Sequence, residues 1–175
     1  MADASTITRR GAHEALPALP RHTSPSPITE LFPQLLDAIS RHVAAERAVE
    51  GVDYWSHPTL QVAAEVAQTD VATLLAAIQR EPLRVAGDRA LQDMTHLIDC
   101  MIGSEQAGTF QRLHWRLPVM DGHVFPEADG PAVTHTRTML RAARRQIDAM
   151  ARLDLYSAAP REDFDVDVLT RMDFL

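Results

Sequence analysis

The sequence predicts an all-α fold: an antiparallel four-helix bundle with one additional short helix, between flexible tails. Apolar residues recur at spacings of three and four along most of the chain, which is the period of an amphipathic helix. Serine and proline precede these stretches, and glycine or proline follows them, as expected at helix ends. No run of alternating β-branched residues competes with this pattern before residue 164. Short connections between long helices favour antiparallel neighbours.

The first two helices are predicted from their caps and apolar stripes. Ser26 fits an N-cap ahead of Pro27 at the first helical position, and this helix ends near Gly51. Pro33 lies deep in the stretch, so a start as late as residue 32 stays open. The second helix begins at Ser56 or Pro58 and ends before Pro82. The two apolar stripes are Ile28, Leu31, Phe32, Leu35, Leu36, Ile39 and Val43, and then Leu60, Ala63, Ala64, Ala67, Val71, Leu74, Leu75 and Ile78.

The later helices follow the same pattern. Pro82 serves as an early residue of the third helix, which ends at Gly103. Ser104 caps a shorter helix that Pro118 breaks, and residues 118–131 are predicted as a loop because they hold three prolines and two glycines. The last helix runs from about residue 132 to residue 155. The inward residues of the third and last helices are Leu83, Ala86, Ala90, Leu91, Met94, Leu97, Ile98 and Met101, and then Val133, Leu140, Ala143, Ile147 and Met150.

The composition is that of a globular domain and excludes several classes of protein. The chain has 175 residues, of which 46% are hydrophobic and 23% charged. A lone cysteine, Cys100, excludes an intramolecular disulfide scaffold, and no apolar stretch approaches the roughly 18 residues of a membrane span. All 17 basic residues are arginine, so lysine Schiff-base chemistry is excluded. The start of the chain lacks the pattern of a secretory signal, so we expect a cytoplasmic protein.

A short helical pattern resembles one group of proteins. Ile39-x-x-His42-x-x-Ala45 lies inside the first helix, and Glu81-Pro-Leu-Arg-Val-Ala-Gly-Asp-Arg-Ala90 follows the second. Together, over about residues 30–100, these segments resemble small all-helical proteins of GC-rich bacteria that have no assigned function. The resemblance implies a helical fold and no activity.

Charge divides the chain into three parts. Residues 1–27 form a proline-containing tail, residues 28–158 the helical domain with 12 arginines against 17 acidic residues, and residues 159–175 an acidic tail. In this last segment Asp163, Asp165 and Asp167 alternate with large apolar residues, a pattern typical of segments that fold onto a partner. The segment is therefore an intramolecular latch, a partner-binding motif or a frayed end. Its candidate contact residues are Phe164, Val166, Val168, Leu169, Met172 and Phe174.

Five arginines form a stripe on the last helix. Their spacing follows the helical repeat, beside the apolar face. Guanidinium groups make paired hydrogen bonds with phosphates or carboxylates, so the stripe is a candidate site for an anion or an acidic protein. The alternative is a solvated face that pairs loosely with neighbouring acids. Nucleic-acid binding is a further alternative, which the net charge of −7 does not favour. The stripe is Arg137, Arg141, Arg144, Arg145 and Arg152.

Two helices carry residue types that bind metals. His42 and Glu46 lie four positions apart on the first helix, and Asp93 and His96 lie three apart on the third. Imidazole and carboxylate from two helices of a bundle suit a divalent metal such as zinc or iron. The alternative is that these are ordinary structural side chains. No other cofactor is expected.

A helix-turn-helix is a weak alternative for residues 62–71, where Ala67 occupies the usual glycine position and basic residues are absent nearby. No set of nucleophile, base and acid stands out for catalysis, and neither Ser104 nor Ser157 has an adjacent histidine. The sequence therefore predicts a non-enzymatic helical protein-interaction or regulatory protein with a protein partner. A homodimer through an exposed helical stripe stays open, and no membrane association is expected.

Overall fold

The computed structural model describes residues 25–52, 57–124 and 130–157, with backbone only for 119–124, and it confirms the all-α bundle. The described part contains five α-helices, one short 3₁₀ turn and no strand. The elements are α1 (Pro27–Val49), α2 (Pro58–Arg80), α3 (Asp88–Gly103), α4 (Thr109–Val124), α5 (Pro131–Met150) and η1 (Asp154–Tyr156).

Helix α1 begins where its cap predicts. The Oγ of Ser26 accepts a hydrogen bond from the backbone amide of Thr29 at 3.1 Å, and Pro27 occupies the first turn. Pro33 lies inside the helix without ending it, because its exposed ring sits on the solvent side while Phe32 and Leu35 are fully buried. Packing of the apolar stripe outweighs the one backbone hydrogen bond that Pro33 cannot donate.

The prediction that Pro82 opens the third helix is wrong. Helix α3 begins at Asp88, and Leu83 is exposed rather than part of the apolar face. The carboxylate of Asp88 is fully buried, and its Oδ2 accepts hydrogen bonds from the backbone amides of Arg84 at 2.7 Å and Val85 at 3.0 Å. These bonds stabilise residues 82–87 as a loop, since the carboxylate satisfies two of the backbone amides of that loop.

Pro118 does not break the fourth helix. Helix α4 continues to Val124 and has the same length as α3, so residues 118–124 are helical and not part of a loop as predicted. Phe110, Leu113 and Leu117 are buried on one side of α4, while Pro118 is exposed. The predicted last helix also differs, since α5 ends at Met150 and a turn leads into η1.

Helix α3 is central, because it contacts each of the other four helices. The most extensive helix pair is α1 with α2, and α1 also contacts α5. Near the start of α3, Gly87 lies so close to α5 that a Cβ atom there would overlap the side chain of Thr136. The Oγ of Ser26 also donates a hydrogen bond to Oδ1 of Asp88, which joins the start of α1 to the start of α3.

Candidate functional site

A buried histidine on α1 is bonded to the last described turn of the chain. His42 is 1% exposed, and its Nε2 lies 2.9 Å from the hydroxyl oxygen of Tyr156 in η1. Burial lowers the pKa of His42, because the apolar surroundings disfavour the imidazolium form. The imidazole is therefore held neutral, with one nitrogen committed to the tyrosine.

Two carboxylates lie near this pair, Glu46 in the last turn of α1 and Glu50 directly after the helix. Oε1 of Glu46 lies 3.7 Å from Nδ1 of His42, which has no hydrogen-bond partner among the described residues. Burial raises the pKa of Glu46, and the negative charge of Glu50 raises it further. Burial and the nearby Glu46 also raise the pKa of Tyr156, so its hydroxyl stays protonated. At neutral pH the imidazole of His42 and the hydroxyl of Tyr156 are therefore both uncharged.

Three further hydrogen bonds, made by the side chains of Glu50 and Gln111, hold the segment after α5. Oε1 of Glu50 accepts a hydrogen bond from the backbone amide of Asp154 at 2.9 Å. From α4, the Nε2 of Gln111 donates to the carbonyl oxygens of Ala151 at 3.2 Å and Tyr156 at 2.8 Å. We call residues 151–157, held by these contacts and by His42, the Tyr156 clasp. It ties the end of the described chain to α1 and α4.

An open cleft of about 200 Å³ lies beside the Tyr156 clasp. The ring of Tyr156 stacks on Phe110 at a centroid distance of 4.4 Å, and both rings form part of the cleft wall. Leu155, also in this wall, is exposed over 54% of its surface. The cleft residues include Met101, Ile102, Ser104, Phe110, Leu155 and Tyr156.

The structure divides the predicted arginine stripe into two groups. The Nε of Arg144 lies 3.4 Å from Oδ1 of Asp148, which also lies 2.9 Å from Nε2 of His114. Arg137 is half-buried and has a partner as well. The other three are exposed and make no ion pair within the described part of the chain. We call these three residues, Arg141, Arg145 and Arg152, the arginine face.

The four predicted metal ligands fall into two separate pairs. His42 and Glu46 meet on α1, whereas His96 is exposed on α3 near Asp93, with its Nε2 3.7 Å from Sγ of Cys100. In the described ranges, no three His, Cys, Asp or Glu side chains are grouped to hold a metal ion. The predicted four-ligand set is therefore not assembled there.

Three further predictions concern the helix-turn-helix alternative, Cys100 and the two tails. Residues 62–71 lie within the continuous helix α2, so they contain no helix-turn-helix turn. Cys100 is half-buried, and burial together with the neighbouring Asp99 raises the pKa of its thiol. The candidate contact residues between Phe164 and Phe174 and both predicted tails beyond residues 25–157 lie outside the described residues.

Sequence reasoning did not identify Tyr156, Glu50 or Gln111 as site residues. Tyr156 is 114 positions from His42, and Gln111 is 45 positions from Tyr156. Residues so far apart in the sequence follow no helical spacing, so their contact could not be predicted from it. The only available signal was the i, i+4 pair of His42 and Glu46, to which Glu50 adds one further turn.

Each helix in the described ranges is too short or too polar to cross a membrane. The chain matches no protein-family model, no curated protein and no solved structure. A functional assignment therefore rests on the Tyr156 clasp, the cleft beside it and the arginine face.

Proposed function

We propose that this chain is a non-enzymatic protein-interaction protein whose partner-binding motif is the acidic and apolar segment at residues 159–175. One observation carries the proposal. The Tyr156 clasp holds the chain against α1 and α4 up to the start of this segment. The motif is thus presented from a fixed point on the bundle, beside a cleft with exposed apolar surface.

The chemistry of the clasp supports an interaction role over a catalytic one. His42 bonds to a hydroxyl, as a general base would, but the pKa of Tyr156 is raised rather than lowered. An activated nucleophile needs the opposite shift. The hydrogen bond between the two side chains instead positions the backbone that leads to residue 158.

The segment has the composition of a motif that folds onto a partner. Its apolar residues alternate with Asp163, Asp165 and Asp167. An extended backbone would therefore present acids on one face and apolar side chains on the opposite face. A matching partner has an apolar groove bordered by basic residues. Exposed apolar side chains on the bundle, such as Trp115 at 67% and Leu155 at 54%, supply further contact surface.

Affinity purification with the full chain and with a deletion of residues 160–175 tests the proposal. A partner identified by mass spectrometry is then purified, and its dissociation constant is measured for both proteins. We expect the deletion to abolish binding while the unfolding temperature changes little. Val166→Ser with Val168→Ser should weaken binding, whereas Thr170→Ser serves as the matched control.

Equal affinity of the full and deleted chains would contradict the proposed motif. A large drop in the unfolding temperature of the deleted chain would also contradict it, because the segment would then be part of the folded core.

A further inference from the structure

The arginine face is a cationic surface without an acidic partner in the described part of the chain. Arg141 and Arg145 lie one turn apart on the same side of α5, and Arg152 lies in the turn that follows this helix. Asp148 lies between them, but it is already engaged by Arg144 and His114. The face therefore retains a net positive charge in a chain whose total charge is −7.

The acidic segment matches this surface in charge and in spacing. Asp163, Asp165 and Asp167 repeat every two residues, which is about 6.6 Å along an extended backbone. Arg141 and Arg145 are separated by about 6 Å along α5. Two neighbouring carboxylates of an extended segment can therefore meet Arg141 and Arg145 on the helix. Each such pair can form two parallel hydrogen bonds.

The chain length also permits the contact. Arg152 lies only five positions before Ser157, where the described chain ends. From Ser157 to Asp163 the chain spans at most about 20 Å, and α5 rises about 7–8 Å from its last residue, Met150, back to Arg145. A segment that turns back along α5 thus places its acids beside the arginine face.

We propose that residues 159–175 dock in an extended conformation along the arginine face of their own chain, antiparallel to α5. This docking rests on the proposed function and adds a way in which partner binding is regulated. The docked segment is not accessible to a partner, which must compete with Arg141 and Arg145 for the carboxylates. High salt weakens the docked state, because ions screen exposed charge pairs.

Paramagnetic relaxation in the full chain tests the docking. A nitroxide is attached through Val168→Cys in a Cys100→Ala background, and ¹⁵N amide signals are recorded with the label oxidised and reduced. We expect the strongest broadening in the part of α5 that holds Arg141 and Arg145, because Val168 directly follows the last of the three acids. Arg141→Glu with Arg145→Glu should remove it, and Asp163→Arg, Asp165→Arg and Asp167→Arg added to that variant should restore it.

Arg84→Glu with Arg116→Glu is the matched control, since both arginines are exposed and lie on other elements. It should leave the broadening unchanged. No broadening on the bundle, or broadening centred on another surface, would overturn the docking. A mixture of spin-labelled and ¹⁵N-labelled chains separates one further outcome: broadening between molecules would assign the contact to a second copy and overturn docking on the same chain.

The proposed function and the docking fail separately. If a partner binds through residues 160–175 but the arginine face shows no broadening, the docking is wrong and the function stands. If the arginine face is broadened in every way predicted and deletion of the segment does not affect partner binding, the proposed function is wrong.

Discussion

The hydroxyl oxygen of Tyr156 lies 2.9 Å from Nε2 of His42, so a residue beyond the last helix supplies a hydrogen bond to a buried side chain on the first helix. Tyr156→Phe keeps the stacking on Phe110 and removes only this bond. We expect a loss of about 1–2 kcal/mol in the free energy of unfolding, because His42 is left buried without a partner on either nitrogen. Urea unfolding measures this loss.

Ser157→Ala provides the control, since its hydroxyl bonds only to the exposed turn at Asp154. We expect a change within about 0.5 kcal/mol. Equal stability of Tyr156→Phe and the unmodified protein would show that the bond to His42 contributes nothing to the fold.

The close approach of α3 and α5 predicts a specific penalty at Gly87. A Cβ atom there would overlap Oγ1 of Thr136, so Gly87→Ala should cost about 1–3 kcal/mol. Thr136→Ala removes the overlapping atom, and the double variant should recover most of the loss. A double-mutant cycle measured by chemical unfolding gives the coupling between the two positions. Additive effects of the two substitutions would contradict the contact.

The buried carboxylate of Asp88 is predicted to be indispensable to the start of α3. It accepts hydrogen bonds from two backbone amides and from Ser26, and an asparagine amide would face some of these donors with its own N–H groups. Asp88→Asn should therefore lower the free energy of unfolding by about 3 kcal/mol. Asp37→Asn, at an exposed position of α1, should have little effect.

Stability should depend on pH through His42. Burial lowers its pKa below the ordinary 6.5, so the unfolded chain takes up a proton before the folded chain does. The stabilisation is complete above pH 6.5 and is lost as the pH falls from there through the lowered value. Glu46 acts in the opposite direction, since its raised pKa lets the folded chain bind a proton first.

Urea unfolding between about pH 5 and about pH 8 separates the two effects. His42→Gln should remove the histidine contribution, so stability of the variant should fall less on acidification than stability of the unmodified protein. The same pH dependence in both proteins would show that His42 is not the titrating group.

The sequence allowed the helical fold to be predicted because caps and apolar stripes act locally. Ser26 caps α1 as expected, and the stripe from Ile28 to Val43 is buried. The errors lie where distant contacts decide. Asp88 at the start of α3 bonds to Ser26, which lies 62 positions earlier, and packing of Phe110 and Leu117 in the core carries α4 past Pro118.

The candidate site was predicted only in part for the same reason. His42 and Glu46 are one turn apart and were found together, whereas their partner Tyr156 comes from the other end of the described chain. Helical spacing placed the five arginines on one stripe. That spacing could not show that Asp148 forms an ion pair with Arg144 while Arg141 stays exposed.

The bond between His42 and Tyr156 closes a loop of 114 positions. Closing so long a loop carries a large entropy cost, which is recovered only when most of the bundle has formed. The α1–α2 pair, in contrast, joins neighbours in the sequence and has the most extensive interface. Assembly should therefore start from this hairpin and finish at the Tyr156 clasp, and we expect the clasp to be the first part of the bundle to open on unfolding.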